Sequence, residues 1–268
     1  MKKEKIIKNI FNKPAHSFTY IETGLTNDNY IVNLDNETIV LRVPREANKQ
    51  LFDYAHEAKV LELIKPLGLD TPLIYYNKDT GIKCNAFIEN AQTFEPKYIK
   101  RAAKLIRTLH NARIISGRAF NIKEKLFLYH DNIKDPLYDV SIGFDYFDSI
   151  EATNLVLCHN DLVKGNLLFT ESKDFLIDYE YAADNDPYFD IMSFLTENDI
   201  VDANLRNEFY LEYFGLLPND EQLSKLKHYE IIHHTLWCTW AMSMYETFSE
   251  PIYKEIADLK YKRLLEVI

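Results

Sequence analysis

Leu157-Cys158-His159-Asn160-Asp161-Leu162-Val163-Lys164-Gly165-Asn166-Leu167, followed by Leu176-Ile177-Asp178-Tyr179-Glu180, is the stretch that decides how this chain folds. The apolar runs Leu155 to Cys158, Leu167 to Phe169 and Phe175 to Ile177 read as three short buried strands. Asp161 follows the first, Asn166 comes five residues later, and Asp178 twelve beyond that. Each oxygen-bearing side chain is thus held at the end of a rigid strand. Asp161 is placed to accept a hydrogen bond from a substrate hydroxyl and orient it, the part of a catalytic base. Asn166 and Asp178 offer the hard oxygen donors that magnesium prefers. Phosphoryl transfer needs this set, because its loose transition state leaves the protein mainly alignment and charge neutralisation to perform.

Upstream, Thr19 to Glu22, Tyr30 to Leu34 and Thr38 to Val43 are β-branched and aromatic runs separated by turn-forming clusters, so a small antiparallel sheet is expected. From Glu46 to Lys65 the apolar positions keep helical spacing, and Pro66 closes the segment. Leu73 to Tyr76 and Lys83 to Ile88 read as two more strands, and Tyr98, Ala102, Leu105, Ile106 and Leu109 as a helix face. The character of the chain changes near Glu89. Beyond it helices dominate, with a long candidate from about Glu221 to Glu246. The expected fold class is α+β: a β-rich small lobe with one helix over residues 1–89 and a mainly helical large lobe over residues 90–268.

The composition sets bounds on function. The chain has 268 residues, 47% of them hydrophobic, and a formal net charge of -10, which argues against nucleic acid or an anionic membrane surface as partner. Three widely spaced cysteines suggest neither a disulfide framework nor a zinc site and fit a reducing, cytoplasmic setting. No signal-like segment and no apolar run of membrane-spanning length is seen, so membrane insertion is not expected. His233 and His234 are adjacent on a helix, the wrong spacing for joint metal ligation, and read as ordinary helix residues.

His159-Asn160-Asp161 with Asn166 is similar to the kinase catalytic loop, and Asp178 falls where the metal-binding aspartate of that fold would. Together with Asp178-Tyr179-Glu180-Tyr181 and Asp186-Pro187-Tyr188-Phe189-Asp190, the stretch resembles the aminoglycoside phosphotransferase and choline kinase branch of the protein-kinase-like two-lobe fold. The resemblance implies ATP as co-substrate, Mg2+ as cofactor and a structural part for Asp190. Gly24-Leu25-Thr26-Asn27 resembles the family's nucleotide loop, which assigns Thr26 and Asn27 to the nucleotide. Arg42 stands where choline and ethanolamine kinases carry an arginine toward the phosphates. Glu57, on the following helix, is expected to pair with it through a guanidinium–carboxylate fork. Phe87-Ile88-Glu89-Asn90 resembles the hinge that holds adenine.

Trp237 and Trp240, the two tryptophans present, sit three apart and share a helix face. Spacing alone is equally that of a core stripe. The family carries a similar pair in a late helix, and aromatic faces bind quaternary ammonium groups by cation–π attraction. Tyr181 and Glu197 match the family's acceptor pocket, and Tyr253 and Tyr261 are further cage candidates. The resemblance therefore implies a choline kinase of bacterial type, transferring the γ-phosphoryl group of ATP to choline, with its product feeding phospholipid metabolism or a surface glycan. The alternatives are an ethanolamine, thiamine or aminoglycoside kinase, or an inactive choline-binding pseudokinase.

Overall fold

The structure is a computed structural model and describes residues 3–22, 26–46, 52–149 and 154–268. In chain order the elements are α1 (Lys3–Phe11), β1 (Ser17–Ile21), β2 (Asn27–Asn33), β3 (Thr38–Pro44), α2 (Tyr54–Ile64), β4 (Leu73–Tyr76), β5 (Lys83–Ala86), β6 (Gln92–Thr93) and α3 (Ile99–Asn111). They continue with α4 (Ile122–His130), α5 (Tyr146–Ser149), β7 (Val156–Cys158), β8 (Leu167–Phe169), β9 (Asp174–Leu176), β10 (Ala183–Asn185), α6 (Pro187–Glu197), α7 (Ala203–Phe214), α8 (Asp220–Phe248) and α9 (Pro251–Val267). The chain gathers into two compact units, residues 1–112 with 164–182, and residues 113–163 with 183–268.

In the first unit, five antiparallel strands lie in the order β1-β2-β3-β5-β4. Alternation along β3 buries Ile39 and Leu41 in a cluster with Ile6 and Ile7 of α1 and Val32 of β2. Val40 and Arg42 therefore project from the other face. Helix α2 begins at Asp53, whose carboxylate accepts from the His56 amide at 3.0 Å. The same unit contains the three-stranded sheet β6-β8-β9, in which β8 and β9 form a hairpin with Leu167 opposite Leu176.

α1 was not foreseen: its segment reads as a charged terminus, and its two buried isoleucines become meaningful only against the sheet. The expected helix from Glu46 forms as α2 from Tyr54, and residues 47–51 lie outside the described residues. Gly24 and Leu25 of the expected nucleotide loop also lie outside them.

In the second unit β7 pairs antiparallel with β10, Cys158 opposite Ala183. Around them stand α4 to α9. Helix α8 is 29 residues long and opens with a capping box between Asn219 and Gln222. Its middle, from Tyr229 to Thr239, is buried throughout, as expected for a central helix. Cys238, Ala241 and Met242 share one cluster with Ala257 and Leu264 of α9. Among the described residues, no helix is long and apolar enough to cross a membrane.

Candidate active site

In the first unit the site is built around one guanidinium. Arg42 Nη2 donates to Glu57 Oε2 at 2.6 Å and to the Gly81 carbonyl at 3.2 Å, while Nη1 donates to Asp178 Oδ1 at 2.9 Å. Glu180 Oε2 lies 3.9 Å from Nη1. The contact to Gly81 needs a residue without a side chain: its φ is +69°, and a Cβ there would run into the Tyr54 ring. Glu57 also accepts from the Tyr76 hydroxyl at 2.8 Å.

Charge and burial set the electrostatics. Burial works against ionised Arg42, but the carboxylates of Glu57 and Asp178 outweigh it and raise its pKa well above its ordinary value. Burial likewise pushes the Glu57 carboxyl up, yet Arg42 and Lys83 hold it below the usual carboxylate value. Glu180 is the member left over: burial and then the charge of Asp178 push its carboxyl up to about 8.

Thr26 and Asn27 meet this group from the start of β2. Thr26 Oγ1 donates to Glu180 Oε1 at 2.7 Å, and Asn27 Nδ2 donates to Glu180 Oε2 at 2.8 Å. Glu180 was not singled out in the sequence; the signal available was its place two residues after Asp178. Asp178 has φ +69° and ψ 70°, an uncommon backbone for a residue other than glycine and one enriched at functional sites. Asn166 is buried at the end of a short turn, and its carbonyl accepts from the Ile177 amide at 2.9 Å, which fixes it beside the residue preceding Asp178. Tyr181, half-buried, stands edge-on to Phe52 at 5.1 Å.

The donor chemistry of this group fits a divalent cation. Asp178, Glu180 and Glu57 surround one guanidinium. With all three ionised, the cluster carries two negative charges in excess, and Asp178 and Asn166 would offer oxygen ligands of the hard kind magnesium takes.

In the second unit, Asp161 sits half-buried in a loop pinned on both sides. Before it, the Asp190 carboxylate accepts from the amides of His159 and Asn160, each at 2.7 Å. Asn160 has φ +64°, and its side-chain oxygen accepts from Asn185 Nδ2 at 2.8 Å. After it, the Leu162 amide donates to Ser193 Oγ at 3.1 Å, and Leu162 O accepts from Asn198 Nδ2 at 2.9 Å. Asp190 is thus a loop anchor.

The same unit holds the tryptophan pair. Trp237 and Trp240 meet edge to face at 5.8 Å and 84°, and Trp240 meets Tyr253 in the same way at 5.6 Å and 80°. Trp237 is 7% exposed, and Trp240 packs against the α8–α9 cluster. Tyr261 instead stacks on Tyr138 at 4.3 Å. Trp237 Nε1 donates to His233 Nδ1 at 3.0 Å, and the other ring nitrogen of His233 reaches the Phe189 carbonyl at 3.0 Å. Glu197 accepts from Lys260 Nζ at 2.7 Å.

Residues 17–224 match the phosphotransferase enzyme family, and the chain belongs to that family. Its protein-kinase-like fold is that of the choline kinase LicA from Streptococcus pneumoniae, with a TM-score of 0.83 at 22% identity, covering 98% of this chain and 96% of that one. In sequence it is similar to protein LicA of Haemophilus influenzae, 27% identical over 245 residues, or 81% of this chain and 70% of the relative. It is also similar to human ethanolamine kinase 1, at 22% identity over 82% of this chain and 60% of that protein.

Proposed function

We propose that this protein is a magnesium-dependent kinase that transfers the γ-phosphoryl group of ATP to the hydroxyl of choline. The observation that carries the reading is the buried meeting of Arg42 with Glu57 and Asp178, a phosphate-directed cation held by one acid and linked to a metal-binding one. The LicA relatives support the acceptor class. In this reading residues 1–89 form the nucleotide-binding lobe, and residues 90–268 carry catalysis and acceptor binding. Asp161 accepts the hydroxyl proton and aligns the oxygen for attack. Its backbone, tied at His159, Asn160 and Leu162, holds that carboxylate without reorganisation. Arg42 steadies the phosphates, Glu57 holds Arg42, and Thr26 and Asn27 flank the nucleotide. Asn166 and Asp178 would hold Mg2+, which when bound neutralises phosphate charge. Trp237, Trp240 and Tyr181 receive the trimethylammonium group, with Glu197 as the acidic member of the acceptor set.

Ethanolamine is the second reading, favoured by the similarity to ethanolamine kinase 1. A magnesium-dependent ADP-release assay with choline, ethanolamine and thiamine tests both. Turnover with choline is expected; turnover with none of the three would overturn the kinase reading.

A further inference from the structure

The aromatic group in the second unit has its polar atoms already engaged. The Trp237 indole N–H is taken by His233 Nδ1, so the proton of that ring sits on Nε2 and points at the Phe189 carbonyl. Burial, and then the nearby charge of Lys260, push the His233 pKa down to about 3, so the ring is neutral. What Trp237 and Trp240 can present is π surface.

Glu197, the acidic member of the acceptor set, is also engaged. Lys260 is 3% exposed, and its ammonium donates to Glu197 Oε1 at 2.7 Å and to the Thr196 carbonyl at 3.1 Å. The Glu197 side chain is 16% exposed, so the pair is screened little by water. The ammonium and the carboxylate are opposite in sign, so the pair as a whole is close to neutral.

We infer that Lys260 is a specificity-determining residue: by neutralising Glu197 it leaves cation binding to the aromatic faces and so selects a quaternary over a primary ammonium. The inference rests on the reading that these residues take the acceptor. A primary ammonium carries three N–H donors, each of which loses a water on entry and must find an acceptor. Indole faces supply none, and one oxygen of the Glu197 carboxylate is already bonded to Lys260. A trimethylammonium group has no donors to satisfy, is weakly hydrated, and gains the full attraction of the ring faces. Without Lys260, Glu197 would be a free acid that rewards the primary amine more.

Two readouts test this. The first is the ratio of kcat/KM for choline to that for ethanolamine. The second is the affinity for tetramethylammonium against methylammonium, followed by selectively excited tryptophan fluorescence, which comes from Trp237 and Trp240 alone. Lys260→Met is expected to move both ratios about tenfold or more toward the primary amine, a change of about 1.4 kcal/mol, and Lys260→Arg to keep them. Ratios unchanged within about twofold in folded Lys260→Met would overturn the inference. Should that variant fail to fold, Lys260→Gln, which keeps a donor for the Thr196 carbonyl but carries no charge, is expected to move both ratios in the same direction, and unchanged ratios in it would overturn the inference. Wild type that turns over none of choline, ethanolamine and thiamine yet prefers tetramethylammonium would sink the kinase reading and leave this one standing. Wild type that does not prefer tetramethylammonium would sink the inference.

Discussion

The group around Arg42 and the group around Trp237 handle buried charge in opposite ways. In the first unit, three carboxylates crowd one guanidinium, and the surplus shows in Glu180, whose carboxyl is pushed up to about 8. In the second, Lys260 and Glu197 cancel, and His233 and His234 are held neutral. An unbalanced cluster invites a further hard cation. A balanced aromatic one suits a soft, poorly hydrated cation. In the proposed function the first group is the one that takes metal and phosphate, and the second the one that takes the organic cation.

The sharpest break of this comparison is at the proposed base. Asp161→Asn is expected to lower kcat by about 10²–10⁴-fold, the usual size of a general-base contribution, while nucleotide affinity by calorimetry stays near wild type. The loop that carries Asp161 is held through Asp190, Ser193 and Asn198, so the substitution leaves its backbone ties intact. A large loss of nucleotide affinity instead would move Asp161 out of the acceptor side of the mechanism.

Next in size is the unbalanced cluster itself. Arg42→Met leaves Glu57, Asp178 and Glu180 without their shared cation, and removing one partner of a buried pair costs about 3–5 kcal/mol. Denaturant unfolding should show that loss. Adding magnesium is expected to recover part of it, because a divalent ion can take over the neutralisation. Equal destabilisation with and without magnesium would contradict the metal fit.

How far these groups were legible in the sequence follows from the distances their interactions span. The loop from His159 to Asn166 and the strands around it were readable because the apolar runs and the oxygen-bearing residues between them are contiguous in the sequence, although the bonds that pin the loop come from the distant Asp190, Ser193 and Asn198. The Arg42–Glu57 pair was readable too, as a strand and the helix after it commonly face each other. Glu180 bonding Thr26 and Asn27 was not, since it spans more than 150 residues and depends on where β2 begins. Lys260 was invisible for the same reason: nothing in the run Lys260-Tyr261-Lys262 marks one lysine as buried. The tryptophan spacing gave the helix face but left core and pocket unseparated, and Trp240 packs against the core cluster.

The balanced region makes a prediction in pH. His233 and His234 have folded-state pKa values of about 3 and about 2, below the ordinary 6.5, chiefly through burial. The unfolded chain therefore binds more protons between the ordinary and the folded values. Their contribution to stability is complete above pH 6.5 and is lost as pH falls, by up to about 1.4 kcal/mol per pH unit for each ring. Unfolding midpoints measured from pH 7.5 down to 5 should fall for wild type and fall less for His234→Asn. Parallel slopes would mean that His234 is not held neutral.

The smallest expected effect concerns the link from β2 to Glu180. Asn27→Ala removes one bond to that carboxylate, worth about 1.5–3 kcal/mol if Glu180 is ionised and about half that or less if it is protonated. The unbalanced cluster favours the protonated form at neutral pH, with Arg42 working against it. Magnesium at Asp178 would draw the proton off Glu180, and the bond from Asn27 would then strengthen. The stability cost of Asn27→Ala should thus be larger with magnesium than without it, and a cost that ignores the metal would separate Glu180 from the charge balance of the site.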